Sequence, residues 1–225
     1  RNLGTQVKAK DQRSLSDVTL SLLEKAGYQV IIPELSQQLC CGMPYHSQGM
    51  ADIAKQKSQQ LEATLWQSSD QGKYPILIDT SPCKKFAYES FTHSMAIFEP
   101  SEFATEFLLD ELELKPLDES VMLHVTCSSR RMNLTQKMID VAKLCANNVI
   151  VADDIQCCGW AGNKGFTTPE LNQAALSGLK QQIPADCSRG FSNSITCEIG
   201  LSHHSGIAFQ SILYLLDEVS TSKNS

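Results

Sequence analysis

The chain has 225 residues, of which 42% are hydrophobic and 20% charged, and it carries a formal net charge of −6 with a pI near 5.4. This length is enough for one large core or two smaller ones. The acidic balance, with no basic run longer than a pair, argues against a nucleic-acid partner, and no apolar run approaches the roughly 20 residues that cross a bilayer.

The first half of the chain opens with a helical pattern. Apolar spacing over residues 15–26 predicts a helix that ends at Gly27, and residues 28–33, YQVIIP, have the pattern of a buried strand. This predicted strand leads into the sequence Cys40-Cys41-Gly42. The remaining predicted elements of this half are a helix over residues 49–69 and a strand over residues 74–83, which ends at Cys83.

The second half repeats this order. It begins with a strand over residues 121–127 that ends at Cys127, and a helix follows over residues 131–146. A strand over residues 149–155 then leads into Cys157-Cys158-Gly159. The remaining predicted elements are a helix over residues 168–183 and a strand over residues 190–197, which ends at Cys197.

Strands that alternate with helices are typical of βαβ units and parallel sheets. We therefore predict an α/β fold with two pseudo-symmetric lobes from internal duplication, each a small parallel sheet flanked by helices. The stretch ELELKPLDES, residues 111–120, interrupts the pattern with acidic residues and Pro116. The predicted domains are residues 1–116 and residues 117–225.

The chain has nine cysteines, too few for a small disulfide-stapled scaffold of this length. Ligands of parallel sheets gather where strands end, so we expect the cysteines that follow predicted strands to converge there. Gly42 and Gly159 allow the backbone of each Cys-Cys-Gly turn to fold tightly. The candidate cofactor-binding cysteines are Cys40, Cys41, Cys83, Cys127, Cys157, Cys158 and Cys197.

Converging thiols are compatible with several chemistries. Iron–sulfur clusters use three or four thiolates from distant points of a sequence, which fits this spacing. Structural zinc favours close pairs spaced by two to four residues, and adjacent cysteines are a poor zinc pair. Thiol or disulfide chemistry and simple burial as small hydrophobes also stay open at this point.

The pattern of Cys-Cys-Gly, about forty residues and a further cysteine, written twice, resembles the cysteine-rich CCG domain. This domain occurs in heterodisulfide reductase and in the iron–sulfur subunits of glycolate oxidase and anaerobic glycerol-3-phosphate dehydrogenase. The segments LCCGMPYHSQGM, DTSPC and CCGWAGNKGF are most similar to the C-terminal region of FAD-linked, iron–sulfur D-lactate dehydrogenases. The resemblance covers nearly the whole chain.

The resemblance implies an electron-transfer module of an oxidoreductase that acts on D-lactate or a related 2-hydroxy acid. It implies an iron–sulfur cluster, of the 4Fe-4S type, in this chain and FAD in the rest of the parent enzyme, with no catalytic residue here. The implied partners are flavin and ferredoxin-like domains of the same polypeptide and a quinone or respiratory acceptor. The implied location is the cytoplasm, free or peripheral at the inner face of the membrane. Two alternatives are a docking domain with vestigial or zinc-bound cysteines, and thiol/disulfide chemistry like that of heterodisulfide reductase.

The sequence departs from the family pattern at three positions. Thr80 and Ser194 stand where the fuller motif has the first cysteine of a Cys-x-x-Cys pair. The leading cysteine of the first unit falls before Arg1, so we expect the chain to be a piece of a longer polypeptide. The second unit keeps four cysteines and is the predicted metal site: Cys127, Cys157, Cys158 and Cys197.

The remaining cysteines and several histidines are predicted to have structural rather than ligand-binding roles. We expect Cys145 in the core and Cys187 in a solvent-facing loop. We expect His124 in the core with its hydrogen bonds satisfied, and we expect His203 and His204 at the start of the last helix.

Overall fold

A computed structural model describes residues 7–152, 154–162 and 164–223 of the chain. The predicted strand over residues 149–155 includes position 153, which lies outside the described residues. The described elements of the first half are α1 (Leu15–Lys25), α2 (Met43–Ser47), α3 (Ala51–Ser68), β1 (Ile76–Leu77), α4 (Ser81–Ser90), β2 (Ile97–Phe98), α5 (Pro100–Phe103) and β3 (Leu112–Leu114).

The second half begins with a long buried strand and alternates strands with helices. Its described elements are β4 (Leu117–Leu123), α6 (Cys127–Arg131), α7 (Thr135–Cys145), β5 (Ala146–Val151), α8 (Lys164–Thr167), α9 (Pro169–Ala175), β6 (Arg189–Ser192), α10 (Ile195–Ser205), β7 (Ala208–Ser211), α11 (Ile212–Val219) and β8 (Ser220–Ser222).

Two of the sheets are parallel, which confirms the predicted α/β class. The larger sheet has the order β5-β4-β6-β7, and its central strand β4 pairs with β5 on one side and β6 on the other. The smaller sheet, in the first half, consists of β1 and β2. Helices flank both sheets, so the layered architecture follows the alternation of elements in the sequence.

One apolar core joins the two halves. It contains Leu22 and Leu23 of α1, Val121 and Leu123 of β4, and Leu215 of α11. The capping box of Ser14 and Asp17 fixes the start of α1, whose buried face packs against α11. The two lobes therefore share a hydrophobic interior.

The interrupted stretch between the lobes is itself structured. The strand β3 lies within it and forms an antiparallel pair with the C-terminal strand β8. The predicted boundary at residues 116 and 117 falls between β3 and β4. The division into domains stays a prediction.

The predicted strand over residues 28–33 is wrong. Residues 28–33 belong to no sheet among the described strands, and Val30, Ile31 and Ile32 are 39%, 60% and 57% exposed. Their apolar run has the composition of a buried strand, but no described strand lies beside it to form the hydrogen-bond ladder that a strand requires.

Other boundaries also differ from those predicted. The strand predicted over residues 74–83 is only Ile76–Leu77, so Cys83 lies inside α4, and the strand predicted over residues 121–127 ends at Leu123, so Cys127 begins α6. The helix predicted over residues 131–146 begins at Thr135. The helix predicted over residues 168–183 is α9 followed by a separate 3₁₀ turn at Lys180–Gln182. The strand predicted over residues 190–197 stops at Ser192, so Cys197 lies inside α10. His203 and His204 lie in the last turn of α10 and do not start the last helix, because β7 intervenes before α11. No helix in the described ranges has both the length and the apolar character of a membrane span.

Candidate functional site

The two Cys-Cys-Gly turns have the same geometry. Gly42 and Gly159 have positive φ angles of 93° and 76°, and an added Cβ would overlap the backbone carbonyl oxygen of Ala54 in α3 or of Leu171 in α9. The amide of each glycine donates to the sulfur two residues earlier, Cys40 or Cys157, at 3.4 Å. This agreement in detail supports the duplication inferred from the sequence.

The second turn brings four thiols together. The Sγ atoms of Cys158 and Cys197 are 2.7 Å apart, and Cys157 interacts with the thiols of both Cys127 and Cys158. Cys127 is the first residue of α6, and Cys197 is the third residue of α10. Two helix starts and one turn therefore position the predicted set.

The four thiols of the second set differ in how easily they lose a proton. Hydrogen bonding with Cys127, and then with Cys158, lowers the pKa of Cys157. Hydrogen bonding with Cys157 raises the pKa of Cys158, and burial adds to that rise. Cys157, which is exposed, is therefore the thiol of this set that carries negative charge most readily.

The first turn brings three thiols together. Cys41 and Cys83 have their Sγ atoms 3.0 Å apart, and Cys83 is the third residue of α4, as Cys197 is of α10. Hydrogen bonding with Cys83 lowers the pKa of Cys41 to about 7. Burial raises the pKa of Cys40. The first set repeats the second without a counterpart of Cys127 among the described residues.

All nine cysteines are free thiols. The 2.7 Å between Cys158 and Cys197 exceeds the S–S bond of about 2.05 Å, and it is much shorter than the ~6–7 Å span that we expect for thiolates around one cluster. Consistently, no three His, Cys, Asp or Glu side chains of the described chain surround a common point at metal-ligand distances. A bound cluster requires the two sulfur atoms to separate.

Buried nitrogen atoms test whether this site suits an anionic group. Arg130 Nη2, Trp160 Nε1 and His124 Nε2 have no hydrogen-bond partner among the described residues. Arg130 and His124 are each three residues from Cys127, and Trp160 is two residues from Cys158. Buried polar atoms are almost always paired, so two unpaired donors on residues close in sequence to Cys127 and Cys158 fit a negatively charged iron–sulfur group.

His124 contributes a different feature to the site. The hydroxyl of Ser192 donates to the carbonyl oxygen of His124 at 3.1 Å, so the His124 Nδ1, 3.1 Å from the same hydroxyl oxygen, carries the ring proton. Nε2 then keeps its lone pair, which can accept a hydrogen bond or bind a metal. Burial, followed by the charge of Arg130, lowers the pKa of His124 to about 4. The expectation that His124 satisfies its hydrogen bonds is therefore wrong at Nε2.

A buried polar network joins the two halves at the starts of α4 and α6. The Ser81 hydroxyl is 2.6 Å from the Ser128 hydroxyl, and the Ser81 amide donates to the Asn193 carbonyl oxygen at 3.0 Å. The Asn193 side chain donates in turn to Glu99 and, at 2.9 Å, to Ser129. These hydroxyl and amide groups gave no functional signal in the sequence, because serine and asparagine are common in exposed loops.

The remaining cysteines lie outside the two sets. Cys145 is fully buried in the shared core, as expected. Cys187, expected to face solvent, is only 5% exposed, and its thiol donates to the Arg189 carbonyl oxygen at 3.4 Å. That expectation is wrong, because the polar loop folds so that the thiol is buried in a second apolar cluster, which also contains Cys158 and Cys197.

Two duplicated α/β lobes that carry matched thiol turns define a cysteine-rich, thiol-presenting domain. The chain belongs to the CCG cysteine-rich domain family, whose model matches residues 6–84 and 121–202. It is 27% identical over 162 residues to one of the subunits of anaerobic glycerol-3-phosphate dehydrogenase, both in Escherichia coli K12 and in Escherichia coli O157:H7. The match covers 66% of this chain and 41% of each relative, so the chain corresponds to about two fifths of their length. No solved structure matches the chain.

Proposed function

We propose that this chain is an iron–sulfur electron-transfer module of an oxidoreductase, with a cluster held by Cys127, Cys157, Cys158 and Cys197. The observation that carries the proposal is the convergence of these four thiols beside unpaired buried donors of Arg130 and Trp160. The family and the name of its relative, which is part of a dehydrogenase, support the same class. When bound, such a cluster supplies one-electron transfer.

The residues of the chain have separate tasks in this proposal. The Gly159 turn positions Cys157 and Cys158, while Arg130 and Trp160 donate hydrogen bonds to the anionic cluster and fix its position. The Cys40, Cys41 and Cys83 set is a second, weaker candidate, because it has three thiols. The parent enzyme oxidises D-lactate or a related 2-hydroxy acid through FAD in other domains, and the module passes electrons toward a quinone or respiratory acceptor from a peripheral membrane position.

The experiment combines cofactor analysis with a matched pair of variants. The intact parent enzyme is purified without oxygen as wild type, as Cys158→Ser and as Cys187→Ser. We expect Cys158→Ser to lose iron and sulfide and to slow electron delivery to the acceptor, while substrate still reduces the flavin. Cys187→Ser, a neighbouring buried thiol outside the set, keeps wild-type iron. Equal iron content in all three proteins contradicts the ligand assignment.

A second function is favoured by the close sulfur pairs. Cys41 and Cys83 lie 3.0 Å apart, and the pKa of Cys41 is about 7, which suits thiol/disulfide exchange. In that reaction two thiols lose two protons and two electrons to form a disulfide, and one disulfide of a substrate gains them and becomes two thiols. A reversible mass loss of two hydrogens at Cys41 and Cys83, in iron-free protein treated with a small disulfide, would support this alternative.

A further inference from the structure

The second Cys-Cys-Gly turn is held by a side chain that lies outside the motif. The side-chain amide of Asn172, in α9, donates a hydrogen bond to the carbonyl oxygen of Cys158, and Asn172 is only 5% exposed. The backbone is in contact at the same place, because a Cβ added to Gly159 would overlap Leu171 and the Cα of Asn172. The turn is therefore fixed to α9 by close backbone packing and by one buried hydrogen bond.

The first turn has the same packing without the hydrogen bond. Gly42 meets the backbone of Ala54, which is the twelfth residue after it, and the glycine of the second turn meets its partner at the same spacing. The next residue is Lys55 in the first lobe, where it is exposed, and Asn172 in the second. Within the described ranges, no side chain donates to the carbonyl oxygen of Cys41. This hydrogen bond is thus particular to the set of four thiols.

The side chain of Asn172 also contacts the helix that carries Cys197. A Cβ added to Gly200, in α10, would overlap the amide nitrogen of Asn172. Gly200 is three residues after Cys197, so the two residues lie on the same side of the helix. Asn172 therefore lies between the segments that supply Cys158 and Cys197, whose Sγ atoms are 2.7 Å apart.

We propose that Asn172 is a positioning residue, which fixes the backbone of Cys158 against α10 and thereby holds the thiols of Cys158 and Cys197 together as one reactive pair. Without its hydrogen bond, the turn is held to α9 by packing alone, and the two sulfur atoms meet less often. This effect on the thiol pair is independent of any cofactor. Its extension to a bound cluster rests on the proposed function: with the backbone held, the two sulfur atoms separate by rotation of the cysteine side chains.

Disulfide exchange in metal-free protein measures how well the pair is held. Cys158 and Cys197 lose two protons and two electrons to form one disulfide, and oxidised glutathione gains them and becomes two glutathione thiols. Cys127→Ser and Cys157→Ser are present throughout, so that no other thiol of the set competes. We expect Asn172→Ala to lower the equilibrium constant about threefold to tenfold, as read by peptide mass mapping, since one net hydrogen bond has this effect. An unchanged constant overturns the proposal.

The first lobe supplies an internal control. Cys41 and Cys83 have their Sγ atoms 3.0 Å apart, and their equilibrium constant with glutathione is expected to be the same with and without Asn172→Ala. A parallel fall at both pairs would indicate a general loss of structure and would contradict a positioning role. Gln173→Ala, at the exposed next position of α9, is the matched control variant and should keep the wild-type constant at both pairs.

A second variant separates hydrogen bonding from packing. Asn172→Asp has nearly the same size, but a carboxylate cannot donate to the Cys158 carbonyl oxygen. We expect it to lower the equilibrium constant as Asn172→Ala does, and a wild-type constant would show that the hydrogen bond does not hold the pair. Iron content of the intact parent enzyme tests the cluster separately, through Cys158→Ser. A failed cluster assignment and a failed role of Asn172 therefore give different results.

Discussion

The side-chain amide of Asn193 donates a buried hydrogen bond to the carboxylate of Glu99, although the two residues belong to different lobes. The same carboxylate accepts from the Ser101 amide at 2.9 Å. Both Glu99 and Asn193 are 0% exposed, so this contact is a buried connection between the two halves of the chain.

We expect Glu99→Gln to lower the free energy of unfolding by about 1–3 kcal/mol, because the new amide group faces donors and leaves buried hydrogen bonds unmade. Urea denaturation of the two proteins measures the difference. Glu113→Gln, an exposed position on β3, is the control and is expected to change stability little. A Glu99→Gln protein as stable as the control would show that this carboxylate does not hold the lobes together.

The glycines of the two turns should respond alike to substitution. Gly42→Ala and Gly159→Ala each place a Cβ at positive φ and against a backbone carbonyl, and we expect each to cost at least about 1–2 kcal/mol of stability. Gly178→Ala, where an added Cβ meets nothing within 4 Å, is the matched control. Thermal unfolding of the three variants measures the effect, and a harmless Gly159→Ala would refute the constrained turn.

Stability should fall in mildly acidic solution because of His124. Its folded pKa of about 4 lies below the ordinary value of 6.5, so the unfolded chain takes up a proton first as pH decreases. We expect a loss of about 2 kcal/mol on lowering the pH to 5, which approaches its limit near pH 4. The free energy of unfolding of wild type and His124→Asn is compared across this range. His124→Asn should flatten the dependence, while His46→Asn, at an exposed position, should retain it.

Thiol labelling should be strongly selective in metal-free protein. Cys157 is exposed and its pKa is lowered, whereas burial raises the pKa of Cys145 to about 12. We expect iodoacetamide at pH 6 to modify Cys157 about tenfold or more faster than Cys145, as read by peptide mass mapping. Cys127→Ala removes the main cause of the lowered pKa and should slow labelling of Cys157. An unchanged labelling rate in that variant would show that Cys127 is not the cause of the reactivity of Cys157.

The sequence was informative where a motif and a local pattern agree. Cys-Cys-Gly written twice predicts two matched turns, since Gly42 and Gly159 each serve a conformation that other residues avoid. Helical spacing likewise located α1 and α3 to within two residues at each end.

Features that depend on distant partners escaped prediction. Residues 28–33 have the composition of a strand, yet strand formation needs a neighbour that composition does not reveal. The ring tautomer of His124 depends on Ser192, which lies at the end of β6 and which no local sequence pattern connects to it. The burial of Cys187 similarly results from the packing of a polar loop onto the second apolar cluster.

The pairing of β3 with β8 has a consequence for synthesis on the ribosome. Leu112–Leu114 emerges long before its partner Ser220–Ser222, and chains grow at about 5–20 residues per second. During that interval the backbone edge of β3 is open to water, nascent neighbours and chaperones. Translation that stops early in the last helix would therefore release a chain whose interlobe segment has no strand to close it, and such a chain is a natural substrate for proteolysis.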